Sequence, residues 1–358
     1  MHVLFGIQGT GNGHLTRARA IGPRLEAKGY KIDYLLSGRE CQKYFDMEPF
    51  GDFDCRRGFS FVVENGRIQS GQTVKELRPI QFIEDVRNIN LKYYNLVISD
   101  FEPITAWAAK RQNIPCLSMS HQVAFDYDVP KVSGYHASKA VMRHFAPGTS
   151  KVGFHYFHFN QTILPPLIAP QIASPSKHQK IVVYMGFESL HEILSLLEPF
   201  RDYEFKVFAH VSDMSVHNHV TINPFSLQRF QKELKDAAGV ITNAGFGLSS
   251  ECLALGKKLL VKPLERQFEQ LSNALALQAL GRATTMAKLD RNILEQWLEL
   301  DGHVPIAYPD VAALLCDWIT EGEPRDYQEL VDSVWDGFEF PFEFDADFGS
   351  RLLPDLVV

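Results

Sequence analysis

Long apolar runs are missing from this 358-residue sequence. No stretch reaches the roughly 18 consecutive apolar residues a membrane-spanning helix needs, so any contact with a membrane is expected to be peripheral, at its inner face. Basic excess is missing too. The formal net charge is −7 and no block of like charges interrupts the chain, which argues against a nucleic-acid binder that relies on counterion release. Cysteine pairing motifs are absent: Cys41, Cys55, Cys116, Cys252 and Cys316 are odd in number and widely spaced, with no Cys-x-x-Cys. The expectation is reduced, mostly buried thiols in a cytoplasmic protein. No leader is expected either, since "MHVLFGIQG" runs from the first methionine straight into strand-like and glycine-rich sequence.

What is present is ordinary globular material, 45% hydrophobic and 22% charged, long enough for two domains. "HVLFGIQ", a helical pattern carrying Leu15, Ala18, Gly22 and Leu25, and "KIDYLLS" form a strand–helix–strand unit. "NLVISD", ending at Asp100, and "IPCLSMSH", ending at His121, continue a parallel sheet. The segment "PPLIAPQIASPSKHQ" has four prolines and no periodicity, so residues 166–179 read as a linker between domains at 1–165 and 180–325. In the second domain "KIVVYMG", "EFKVFAH", "GVITNAG" and "KKLLVKP" alternate with helical patterns at 189–198, 226–237, 248–255 and 269–280. The fold class is therefore α/β, with two doubly wound Rossmann-like halves and ligands expected in the cleft outside the carboxyl ends of their strands. Residues 326–358 read as an arm whose Phe338, Phe340, Phe342 and Phe344 share one side of an extended segment and dock on the protein's own body.

The first strand opens into "GIQGTGNGHLTRARA". A dinucleotide fingerprint starting at Gly9 and Gly11 would need its third glycine where His14 stands, and no lysine follows to make a phosphate loop. Gly9, Thr10, Gly11, Asn12 and Gly13 can instead hold an anion at the helix start, with Thr10 and Asn12 adding side-chain donors. At that position the helix dipole favours a neutral His14, as a general base requires. A tight turn with His14 as a cap fits the same residues, and on this loop alone both readings stay open.

The stretch from 222 to 281 is more specific. "GVITN" is a strand, "AGFG" admits a close backbone approach, and "LSSECLAL" starts a helix whose amino end can hold a diphosphate, with Glu251 one turn inside. Asn243, Gly245, Gly247, Ser249 and Glu251 fall in register with the H-x-G-x-[NS]-[ST]-x-x-E pattern of nucleotide-sugar glycosyltransferases of the GT-B fold. The sequence resembles that group over most of residues 1–285. It is most similar to the MurG-type N-acetylglucosaminyltransferases of the cell envelope and to predicted glycosyltransferases of bacteria and archaea related to them, and more distantly to the UDP-glucosyl/glucuronosyl transferases. The loop "GTGNGH" is similar to the MurG-type G-x-G-G-H loop, and "SHQ" at 120–122 is similar to their H-E-Q segment. Two positions depart from the pattern: Asn243 replaces a histidine that often faces the phosphates, and Leu248 stands where a hydroxyl or amide is common.

The resemblance implies an inverting, metal-independent transfer of a hexose or N-acetylhexosamine from a nucleotide sugar, UDP-linked, to an acceptor hydroxyl, with no cofactor beyond that substrate. It assigns donor binding to Gly245, Gly247, Leu248 and Ser249 at the diphosphate and to Glu251 at the ribose. Phe225 and Ser226 fall at the base, and Glu269, Gln270 and Asn273 at the transferred sugar. His121 and Gln122 lie on the acceptor side; the acceptor itself is a glycan, a lipid-linked molecule or a small molecule. His14 is the expected base, and Asp100, at the end of a strand in the same domain, is the carboxylate placed to fix its tautomer. Asp100 equally suits a cap for the helix near Pro103. Two other functions compete: a non-hydrolysing nucleotide-sugar epimerase and a non-catalytic nucleotide-sugar-binding protein. Arg17 and Arg19 read as surface residues, and His155 and His158 as opposite faces of one strand.

Overall fold

The structure, a computed structural model, describes residues 1–44, 46–59, 63–64, 67–68, 78–169, 176–321, 326–336, 338 and 340–341. In the first domain, β1 (His2–Gln8) leads through α1 (Asn12–Ala27) to β2 (Lys31–Ser37) and β3 (Phe53–Cys55). A two-stranded hairpin, β4 (Val63–Glu64) and β5 (Arg67–Ile68), and α2 (Pro79–Asn88) follow. Then come β6 (Leu96–Asp100), α3 (Pro103–Gln112), β7 (Cys116–Ser120), α4 (His136–Phe145) and β8 (Ser150–Gly153). The six strands are parallel in the order β3-β2-β1-β6-β7-β8. The order reverses between β1 and β6, and there the chain leaves the sheet in opposite directions and opens a crevice.

The second domain repeats this plan. Its strands are β9 (Lys177–Tyr184), β10 (Glu204–Ala209), β11 (Ser215–His217), β12 (Val220–Pro224), β13 (Ala237–Thr242), β14 (Lys258–Val261) and β15 (Thr284–Thr285). They lie in the order β11-β12-β10-β9-β13-β14-β15, parallel except for β11 on β12. The helices are α5 (Leu190–Leu197), α6 (Leu227–Lys235), α7 (Phe246–Ala254), α8 (Phe268–Ala279) and α9 (Arg291–Leu298), and the second reversal falls between β9 and β13. The protein thus has the GT-B architecture, two Rossmann-like domains facing each other.

Both central strands are covered on two faces. Val3, Phe5 and Ile7 of β1 enter one apolar cluster while Leu4 enters another, and Val182 of β9 is separated from Ile181 and Val183 in the same way. One of these clusters runs across the domain boundary through Phe246, Phe125 and Phe268. The chain then crosses back before residue 325: α10 (Val311–Thr320) packs on α1, with Lys28 paired to Asp317 and Arg24 to Asp310. After it, α11 (Tyr327–Trp335) brings the Trp335 indole N–H to the Ile163 carbonyl at 2.7 Å. Of the phenylalanine arm, Phe338 and Phe340 pack on Trp335, and Phe340 also meets Phe157. Phe342, Phe344 and residues 170–175 of the linker lie outside the described residues, and the described linker residues 177–179 belong to β9.

Two expectations need correction. Cys41 and Cys55 form a disulfide, because β3 pairs beside β2 and carries Cys55 next to the turn that follows β2; Cys116, Cys252 and Cys316 are free and buried. His155 and His158 do not alternate along one strand, since β8 stops at Gly153 and a turn with positive φ at Phe159 and Asn160 follows. His155 is fully buried and His158 half-buried. Among the described residues no helix is long and apolar enough to cross a membrane.

Candidate active site

The reversal between β1 and β6 brings the first turn of α1 beside the end of β6. His14 Nδ1 lies 2.7 Å from Asp100 Oδ1, and both residues are buried. Arg17, one turn further along α1, donates to the same carboxylate from Nε at 2.8 Å and Nη2 at 2.7 Å. Arg17 is 4% exposed, so it is a core partner of the site and not the surface arginine its sequence context suggests. Burial alone would raise the Asp100 carboxyl, but Arg17 and His14 outweigh it and hold the group below the usual carboxylate range. The helix-capping role belongs to Glu102, which accepts from the N–H groups of Ile104 and Thr105 at the start of α3. His14 Nδ1 also lies 2.6 Å from Arg17 Nη2, so the ring shares the Asp100 carboxylate with that guanidinium, and His14 Nε2 has no partner among the described residues.

The glycine loop is open backbone at a helix start. Gly11 is the N-cap of α1 and supplies no side chain, so the N–H groups of Asn12, Gly13 and His14 have no acceptor within the helix. Thr10 is half-buried in the turn and makes no side-chain hydrogen bond among the described residues. Gly9 sits beneath Tyr44: a Cβ there would lie 2.0 Å from the Tyr44 hydroxyl. Across the cleft the same arrangement recurs in α7, whose N-cap is Gly245 and whose free N–H groups belong to Phe246, Gly247 and Leu248. A Cβ on Gly247 would stand 3.7 Å from the Gly13 Cα, so the two helix starts face each other across a glycine contact.

The remaining donor-side residues divide. Glu251 is partly exposed on α7, and burial pushes its carboxyl up to about 6 although Gln231 donates to it at 2.8 Å. Phe225 stands at the end of β12 against Tyr184 and His210, forming an aromatic cup. Ser226 caps α6 by accepting from the Arg229 N–H. Asn243 donates to Glu188 and to the Lys262 carbonyl, while its Oδ1 is buried without a partner. Ser249 is fully buried close to Tyr156.

The three residues expected at the transferred sugar do not gather at an open surface. Asn273 is fully buried: its Nδ2 donates to the Ala244 carbonyl and its Oδ1 lies 2.6 Å from His121 Nε2. Gln270 is buried and accepts from the Leu264 N–H. Glu269 is partly exposed and accepts from Gln122 Nε2 at 3.1 Å. Residues expected to read donor and acceptor therefore bond to one another across the domain boundary, and the His121 ring stacks on Phe246 at 3.8 Å. Burial lowers the His121 imidazole below its ordinary range.

Four residues near the cleft carried no signal in the sequence. Arg39 follows β2, Tyr44 covers Gly9, and Tyr184 and His210 end β9 and follow β10. Each is a lone residue at or beyond a strand end, visible as part of a site only once both sheets point their strand ends at one cleft. A surface concavity lined by Lys180, Asp202, Tyr203 and Glu299 lies at the opposite end of the second sheet, away from this chemistry.

A sequence model of glycosyl transferase family 1 matches residues 1–300. The chain belongs to that family. A relative from Methanosarcina acetivorans, described as an uncharacterized glycosyltransferase, is 23% identical over 337 residues, 81% of this chain and 85% of its own. Among solved structures, the glycosyltransferase SnogD from Streptomyces nogalater superposes with a TM-score of 0.53 at 16% identity over 98% of both chains. The spinosyn rhamnosyltransferase SpnG gives 0.55 at 15% identity over 94% of this chain and 100% of its own. At such identities these two show the shared GT-B fold, while the family match makes the protein a glycosyltransferase.

Proposed function

We propose that this family 1 glycosyltransferase transfers a hexose or N-acetylhexosamine from a UDP-linked donor with inversion and without a metal ion. The observation that carries the reading is the His14–Asp100 contact of 2.7 Å at the first turn of α1, opposite the open end of α7. The acceptor hydroxyl gives its proton to His14 Nε2 as its oxygen attacks the anomeric carbon. The bond from that carbon to the phosphate oxygen breaks, and the nucleoside diphosphate leaves with the electron pair. Asp100 holds the Nδ1–H tautomer and stabilises the imidazolium as it forms. The N–H groups of Phe246, Gly247 and Leu248 meet the charge that develops on the leaving diphosphate.

A nucleotide-sugar panel read by thermal shift tests the donor class, with UDP-sugars expected to stabilise the fold by about 2.7 kcal/mol near one hundred times their dissociation constant. The His14→Ala variant keeps donor binding and loses transfer by a factor of about 100 or more. Unchanged transfer removes His14 from the mechanism, and a product with the donor's own anomeric configuration overturns inversion. Solvent deuterium at C2 of the recovered nucleotide sugar would replace the transfer reading with epimerisation.

A further inference from the structure

Arg39 stands in the cleft without an anion. Its Nη2 donates to Asn12 Oδ1 at 3.2 Å, on the first turn of α1, and its guanidinium lies 5.4 Å from the centre of the Tyr44 ring. No carboxylate pairs with it among the described residues, whereas Arg17 and Arg24 both have acid partners. A half-buried cation whose one hydrogen-bond partner among the described residues is a neutral amide loses hydration without the compensation of an ion pair. Its surroundings add positive potential. The uncapped amino end of α1 carries the Asn12 to which Arg39 bonds, and the uncapped end of α7 meets α1 at Gly13.

Although it belongs to the first domain, Arg39 reaches the second. His210, whose imidazole is lowered by burial and then by the Arg39 charge, sits edge-on against Phe225. Tyr184 also lies within the field of Arg39 and contacts the same Phe225. Arg39 thus sits on the α1 start, which faces the α7 start at Gly13, and its charge is felt by two residues of the aromatic cup at the end of β12. In a nucleotide sugar the diphosphate spans the interval from base to anomeric carbon. The Cys41–Cys55 disulfide, two residues beyond Arg39, restrains the loop that carries it.

We propose that Arg39 is the cation which the first domain extends to the donor's diphosphate, so that one nucleotide is held from both domains. This rests on the nucleotide-sugar reading above and adds a residue to it. Binding the diphosphate then draws the domains together, because the anion sits between Arg39 on one side and the α7 amino end on the other.

Calorimetric titration of the full-length chain and of Arg39→Gln and Arg39→Lys with UDP and dTDP, and with uridine and thymidine, tests this. Arg39→Gln is expected to weaken the diphosphates by about 10- to 100-fold and leave the nucleosides unchanged, with Arg39→Lys between. The wild-type preference for diphosphate over nucleoside should also shrink as salt is raised. Equal weakening of UDP and uridine, or no weakening of either, overturns the assignment and leaves the transferase reading standing. A wild-type chain that binds no nucleoside diphosphate overturns both.

Discussion

At the scale of residues, the site is governed by how buried charges are balanced. Asp100 has no exposed surface and is held ionised by Arg17 and His14 together. Removing Arg17 as Arg17→Met leaves a buried carboxylate paired with one imidazole alone. Stability should fall by about 3–5 kcal/mol, measured by chemical denaturation, far more than for a surface arginine. Glu251 makes the opposite case, with its carboxyl pushed up to about 6 by burial. On the proposed nucleotide-sugar reading, with Glu251 at the ribose as the resemblance implies, accepting from two hydroxyls needs the ionised form. Donor affinity should therefore be constant above about pH 7 and fall as pH drops through about 6, by at most about tenfold per unit. A UDP-sugar is the right probe, since its phosphate diesters do not titrate in this range, and Glu251→Gln should flatten the profile. For folding the sign reverses. Between the ordinary value of 4.5 and about 6 the native chain keeps a proton the unfolded chain has released, so this group's contribution to stability declines as pH rises through that window.

At the scale of elements, α1 and α7 begin on glycine and leave their first N–H groups open, α2, α4 and α5 also lack a side-chain cap but begin on Arg78, Tyr135 and Ser189, and α3, α6 and α8–α11 begin with a side chain that accepts from their first turn. The glycine caps of α1 and α7 forgo about 0.5–1 kcal/mol of helix stability that an acidic cap would supply. Gly245 tests this directly, because its backbone is extended and a Cβ there meets nothing within 4 Å. Gly245→Asp should raise the melting temperature while weakening UDP by tenfold or more, since the new carboxylate occupies the N–H groups and repels the diphosphate. If the variant gains stability and still binds UDP as before, the α7 end is not the phosphate site.

At the scale of the whole molecule, the two domains meet through bonds that suit opening. His121 Nδ1 faces the Phe154 carbonyl at 2.8 Å while Nε2 faces Asn273 Oδ1, so both ring nitrogens confront acceptors. A neutral ring donates to only one of them, and burial disfavours the imidazolium that would satisfy both. The latch is therefore weak for its burial. Gln122 adds one bond to Glu269 and leaves its own Oε1 buried without a partner. His121→Ala should shift the ligand-free protein to a larger radius of gyration by small-angle scattering, and saturating UDP should restore compactness. A variant as compact as the parent without ligand assigns the closure to the Phe125–Phe268 contact and the α1–α10 packing instead.

Much of this was local information. Apolar runs specified β1, β2, β10 and the two-domain plan, because a strand covered on both faces must be apolar whatever it packs against. The glycines before α1 and α7 and the spacing from Gly245 to Glu251 were equally legible, since a helix start and the residues one turn inside it are neighbours in the chain. Other relations cross large gaps in sequence. Pairing Asp100 with His14 and Arg17 required β6 to lie beside β1, and pairing Cys41 with Cys55 required β3 to lie beside β2. Asn273 and His121, 152 residues apart, became partners only because the domains close on each other. The sequence alone determined the central strands of both sheets and the two glycine-capped helix starts, through forces acting over a few residues. Only the tertiary structure decided which charges meet, because burial and proximity of groups distant in sequence are properties of the packed chain.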